Sequence, residues 1–139
     1  MRSMPATAAV IAALVGGLGV AAPAAADDPV LHHVRYTVSS DAPFWAHIYY
    51  RDSEPAMFSD YSHNPYMFSP RVDVDLAPDK PWVLDTMLAD PQMWAMVVVQ
   101  SGETQQTPTP GFSCELMVDG NVVQTNSGPK GALCALRTW

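Results

Sequence analysis

The stretch Phe112–Trp139, FSCELMVDGNVVQTNSGPKGALCALRTW, holds both cysteines of the chain and its clearest turn. From Phe112 to Val118 the apolar residues fall on alternate positions (Phe112, Cys114, Leu116, Val118) with polar Ser113 and Glu115 between them, which is the period of a half-buried strand. Met117 alone blurs the pattern. Asp119-Gly120 follows at once, and because both central residues of a type I′ turn need positive φ, Asp-Gly between two apolar runs predicts a hairpin. The return strand is expected from Asn121 to about Asn126, with a loop over Ser127–Gly131. Beyond it Ala132, Cys134 and Leu136 again share a parity. Each cysteine therefore points the same way as the inward residues of its own strand, and a core-facing Cys114–Cys134 disulfide is expected. Closing that loop stabilises a fold by roughly 3 kcal/mol in the chain-entropy model.

Working back from this hairpin, the same period recurs. In LHHVRYTVSS, Val34, Tyr36 and Val38 oppose Arg35, Thr37 and Ser39. After the turn Asp41-Ala42-Pro43, FWAHIYYR places Ala46, Ile48 and Tyr50 on one face and Trp45, His47 and Tyr49 on the other. Val72, Val74 and Leu76 alternate with Arg71, Asp73 and Asp75, and Trp82, Leu84 and Leu88 oppose Asp85. Asp90-Pro91 breaks that strand. Met93–Gln100, MWAMVVVQ, is apolar throughout and reads as a central strand, the Val97-Val98-Val99 run favouring strand over a short buried helix. Ser101–Gly111 is a loop. About seven to eight short strands with turn signals at short intervals predict an all-β chain, an antiparallel β-sandwich of the immunoglobulin-like kind with one disulfide, a small barrel being the alternative.

The N-terminus addresses the chain. Arg2 precedes an Ala/Val/Leu/Gly run and then Ala24-Ala25-Ala26 before Asp27, the pattern of a signal peptide over residues 1–26 cleaved near Ala26. An uncleaved N-terminal helical anchor is the alternative, since the apolar run approaches bilayer-spanning length. Removing residues 1–26 from 139 leaves a single domain over residues 27–139, and the loss of Arg2 leaves six basic side chains against fourteen acidic ones. That balance repels phosphate backbones, so nucleic acid is not an expected partner. Two cysteines in an exported chain allow one pairing, which an oxidising compartment favours.

The residues that could carry chemistry argue for binding. His32 and His33 are consecutive on a strand and point to opposite faces, so they cannot readily share an ion, and His63 near Asp60 has no metal-ligand spacing. No metal or cofactor is expected. A Gly-x-Ser-x-Gly turn is absent and the cysteines are paired, so the chain reads as non-enzymatic; a small secreted hydrolase using the 52–70 segment as a lid is the competing reading. That segment, DSEPAMFSDYSHNPYMFSP, has no period, yet Met57, Phe58, Tyr61, Tyr66, Met67 and Phe68 give it the composition of an ordered flap. Trp45, His47 and Tyr49 as floor, with Phe58, Tyr61, Tyr66 and Phe68 as cover, form the candidate contact cleft for a ligand or partner. A second small core beneath the flap is the plain alternative.

Read in order, several of these residues carry a family likeness. Val34-x-Tyr36-x-Val38, Ile48 and Tyr50 followed by Asp52, Pro81-Trp82, Val97-Val98-Val99-Gln100, and Cys114-Glu115-Leu116-Met117-Val118-Asp119-Gly120-Asn121-Val122 with Cys134 together resemble the MmpS family. These are small mycobacterial membrane proteins accessory to the MmpL lipid and siderophore exporters. The resemblance implies a β-sandwich outside the cytoplasmic membrane with a transport-accessory role. An MmpL-type transporter or other envelope protein would then be the partner, or a lipid or siderophore-like molecule the ligand. Members of that family look anchored by an N-terminal helix, where this chain carries a cleavage pattern, and its flap is longer.

Overall fold

The computed structural model describes residues 19, 28–104 and 106–138. The expected signal peptide lies outside the described residues apart from Gly19. Eight strands and three short helical turns follow one another: β1 (His32–Ser40), β2 (Phe44–Tyr50), α1 (Phe58–His63), a 3-10 turn (Pro65–Phe68), β3 (Arg71–Leu76), β4 (Trp82–Leu88), α2 (Pro91–Trp94), β5 (Met96–Ser101), β6 (Phe112–Val118), β7 (Asn121–Gly128) and β8 (Gly131–Ala135). They form two antiparallel four-stranded sheets, ordered β4-β1-β6-β7 and β3-β2-β5-β8. This is the two-layer sandwich that alternation predicts: the strands other than β7 each offer one apolar face and these faces bury each other, while β7 is exposed along almost its whole length.

The inward parity is the one the sequence assigns. Val34, Tyr36, Val38, Ala46, Ile48, Leu76, Leu88, Val97, Val99, Phe112, Leu116 and Cys134 are the buried core between the layers. Cys114 on β6 and Cys134 on β8 belong to different sheets, and their disulfide (Cα–Cα 6.0 Å) ties the layers together. The Asp119-Gly120 turn has φ of 51° and 81°, both left-handed as a type I′ hairpin requires. The blur at Met117 has a cause, a register shift in the β6–β7 ladder between Leu116 and Met117.

Three expectations are corrected. The return strand runs on to Gly128, and β8 starts at Gly131, so the loop shrinks to Pro129-Lys130. Met93–Gln100 is not one strand: Pro91–Trp94 is a helical turn, capped where the Asp90 carboxylate accepts from Met93 N at 3.2 Å, and the strand begins at Met96. Asp90-Pro91 is an N-cap followed by a first-turn proline, which starts a helix as readily as it ends a strand. Finally, the 52–70 flap is partly helical, built from α1 and the 3-10 turn.

Candidate functional site

The flap is organised around a residue that the sequence gives no reason to single out. Arg51 follows β2 directly, and at that point the chain leaves the sheet and dives under its own next segment. Its side chain is completely buried, which for a guanidinium requires that its donors and its flat faces be occupied. Nε donates to Phe68 O at 3.1 Å, Nη2 to Ser69 Oγ at 3.1 Å, and Nη1 to Trp94 O at 3.2 Å. The guanidinium also lies over the rings of Tyr61 (4.8 Å) and Trp94 (5.5 Å), and those rings meet edge to face at 5.6 Å. One side chain thus fastens α1, the end of the 3-10 turn and α2. Burial lowers its pKa, while the charge and hydrogen bonding of Tyr61 act the other way.

Beneath it the main chain is held as firmly. Arg51 N donates to Met96 O at 3.1 Å, and Arg51 O accepts from the buried Tyr36 hydroxyl at 2.6 Å. The same hydroxyl accepts from Met96 N at 3.2 Å, so a single phenol bridges β1, β5 and the start of the flap. Burial pushes the Tyr36 pKa up to about 12.

Above Arg51 the flap turns apolar side chains to solvent. Met57 is 60% exposed, Phe58 48%, Tyr66 83% and Met67 66%, within a dozen residues of sequence. Phe58 stands on Tyr61 (6.0 Å), and the Arg137 guanidinium caps its other side at 5.1 Å. A depression of about 550 Å³ on the flap is lined by Ser59, Asp60, His63, Asn64, Met67 and Phe68. His63 donates through Nδ1 to Ser59 O at 2.7 Å, stiffening α1 from within.

The expected cleft is not assembled as one site. Trp45 stands edge-on to His47 at 4.7 Å and lies against Gly102, where a Cβ would come within 1.7 Å of the indole, so only glycine fits beneath it. His47 in turn bonds Asp73 at 2.5 Å across the β2–β3 register, and Tyr49 lies half-buried between Arg71 and Val98. Phe58 and Tyr61 instead reach Trp94, Arg51 and Arg137. Phe68 contributes its carbonyl to Arg51, and Tyr66 points out. The flap therefore packs over the Arg51–Trp94 end of the sandwich, and Trp45 with His47 forms a separate group on the outer face of β2. Parity places Trp45, His47 and Tyr49 on an outer face but says nothing of what lies above them. Trp94 and Arg51, the true floor, are invisible to it.

The three histidines on strands are held by carboxylates. His32 bonds Asp119 at 2.6 Å, and His33 shares Asp85 (2.7 Å) with Arg35 (2.8 Å). Arg35 is the main reason the Asp85 carboxyl is held below its usual range; His32 does the same for Asp119 and His47 for Asp73. Among the described residues no group of three His, Cys, Asp or Glu side chains is placed to hold a metal ion. What the flap offers is an ordered apolar surface over a rigid cationic knot, an arrangement suited to contact.

Comparison with known proteins agrees with the sandwich. Residues 36–134 match the family described as the Rv2576c beta-sandwich domain. The chain is 31% identical over 140 residues to the uncharacterized protein Rv2576c of Mycobacterium tuberculosis, and equally to the uncharacterized protein Mb2606c of Mycobacterium bovis; each alignment covers 100% of this chain and 89% of the relative. The match takes in Tyr36, Arg51, the flap, Trp94 and both cysteines, and this chain belongs to the Rv2576c β-sandwich family.

Proposed function

We propose that this protein is an exported, non-enzymatic binding module of the cell envelope and that the α1 and 3-10 flap is its contact surface. The observation that carries the proposal is the pairing of opposites at Arg51: the flap is fastened from below by a fully buried side chain, yet shows Met57, Phe58, Tyr66 and Met67 to solvent. Ordering a segment costs entropy, and a flap that served only to cover a second core would turn those side chains inward. Methionine beside aromatic residues is the composition of adaptable contact surfaces. The likeness to MmpS domains favours an MmpL-type transporter or another envelope protein as partner, and a lipid or siderophore-like molecule as the cargo in such an assembly. Export rests on the Ala24-Ala25-Ala26 pattern, and N-terminal sequencing of secreted material should begin at Asp27.

The test is photo-crosslinking from position 57 on the same flap in intact cells. An envelope protein should be labelled, and the Tyr66→Ser, Met67→Ser double variant should lose that contact with its melting temperature within about 2 °C of the parent, as expected for exposed residues. Labelling of no envelope component would count against the reading. A fall of many degrees in the double variant would show that the flap is structural.

A further inference from the structure

Sheet edges β3 and β4 lie on one side of the sandwich, joined by the turn over residues 77–81, with Ala77 and Lys80 bridged. On the other side β7 is exposed along almost its whole length but is tied locally to β8, where Asn126 Nδ2 donates to Leu133 O at 3.1 Å and the disulfide joins β6 to β8 nearby. The β3/β4 side stays open: the inward side chains Val72, Val74, Trp82 and Leu84 are only partly buried.

The backbone groups of β3 that have no partner among the described residues can be assigned residue by residue. Tyr50 N donates to Pro70 O, whereas Arg51 N donates to Met96 O and Gly102 N to Trp45 O. Even-numbered residues of β2 therefore turn their main chain to β3, and odd-numbered ones to β5. With Ala46 opposite Val74 and Ile48 opposite Val72, the even residues of β3 bond to β2, and Arg71, Asp73 and Asp75 direct N–H and C=O outward. No proline, lysine or bulge interrupts this edge.

Charges on an edge usually deter pairing, but here their order is self-complementary. We propose that two copies of this chain associate by antiparallel pairing of their β3 edges, with Asp73 on the two-fold axis. In that register Arg71 of each copy falls opposite Asp75 of the other, and every main-chain group that meets across the axis is an outward one. Asp75 makes no ion pair among the described residues, so the second copy supplies its partner. The two Asp73 carboxylates meet at the axis already engaged, each hydrogen-bonded to His47 at 2.5 Å and paired with Arg71 at 3.3 Å. The result is one eight-stranded sheet in which Val72 and Val74 of the two copies continue a single apolar row, and the β4 edges with Trp82 and Leu84 approach below. A short strand pair buries less than a standard interface, so the association is expected to be weak and reversible.

Sedimentation equilibrium of the oxidised protein, expressed with its own N-terminal segment, tests this. A reversible dimer is expected that weakens with added salt. Arg71→Asp and Asp75→Arg should each weaken it about tenfold, because two cross-strand pairs change from opposite to like charge. The double variant Arg71→Asp, Asp75→Arg should restore association to within about threefold of the parent, since the pairs are re-formed with their signs exchanged. Asp75→Asn, a milder change at an exposed position, should give an intermediate loss, and circular dichroism of each variant reports folding. A monomer at every concentration up to about 1 mM, a dimer indifferent to the single reversals, or a double variant as weak as the singles would each overturn the proposal.

Discussion

Replacing Arg51 by methionine should loosen the flap before it unfolds the sandwich. Methionine fills much of the same volume, so the loss is chiefly polar. The Phe68 and Trp94 carbonyl oxygens lose their donor, at about 1–3 kcal/mol each where they stay buried. Stacking over Tyr61 and Trp94 is lost as well, worth about 0.5–2 kcal/mol. Against this, the variant no longer has to desolvate a guanidinium, which offsets several kcal/mol of the total. A net cost of about 3 kcal/mol results, a large part of the stability of a small domain. Arg51→Lys should cost nearly as much, because a single ammonium cannot address three acceptors in a plane and two rings. Urea unfolding measures the total, and amide exchange locates it: protection should fall first over residues 57–70 while β1, β5 and β6 keep theirs. A loss under about 1 kcal/mol, with flap amides as protected as before, would refute the account of Arg51 as the flap's fastening.

Other perturbations follow from the same geometry. Tyr36→Phe should cost about 1–3 kcal/mol in urea, since Arg51 O and Met96 N both lose a partner. The neutral Tyr36 phenol is the form the fold favours, its pKa being pushed up to about 12. Its contribution is therefore whole below the unfolded value of about 10, and roughly 2–3 kcal/mol is lost as pH rises through the folded one; Tyr36→Phe should remove that alkaline limb. Asp73, Asp85 and Asp119 have folded pKa values below their ordinary ones, so what they contribute is present above pH of about 4 and disappears as pH falls through the lower folded values. Asp85→Asn should flatten the acid side of the stability profile. Changing Cys114 and Cys134 together to serine should cost about 3 kcal/mol, read from complete urea curves with the slope fitted for each protein, since the chain without its cross-link exposes more surface when unfolded.

The strands were legible because a sandwich writes its layers into the sequence with period two. Val34, Tyr36 and Val38 were assigned inward from alternation alone, and so was each cysteine. The short helices were not. A turn of four residues such as Pro91–Trp94 is too brief to show a 3.6-residue period, and Met93 and Trp94 run without a break into Met96 and the valines. The Asp90-Pro91 signal was there and admitted two meanings. At the site, Met57, Phe58, Tyr66 and Met67 could be picked out by composition, but their support could not. A lone arginine at the end of a strand, followed by Asp52, has the sequence signature of a surface charge. Its burial depends on Phe68, Ser69 and Trp94, which only tertiary structure brings to it.

The sheet order also bears on how the chain can reach this state. Val34 of β1 pairs with Thr86 on one side and Val118 on the other, so the first strand to emerge during synthesis or export must wait for β4 and then β6 before it has neighbours. Of the pairs within these sheets, β6–β7 is joined by a tight turn, whereas even β2 and β3 are parted by the whole flap between them. Folding should therefore be slow for a domain of this size, with its rate set by long loop closures. Until β8 arrives with Cys134, the two layers have no covalent tie beyond the connecting main chain, and a chain cut short before it would leave the sandwich without both its last strand and its clasp.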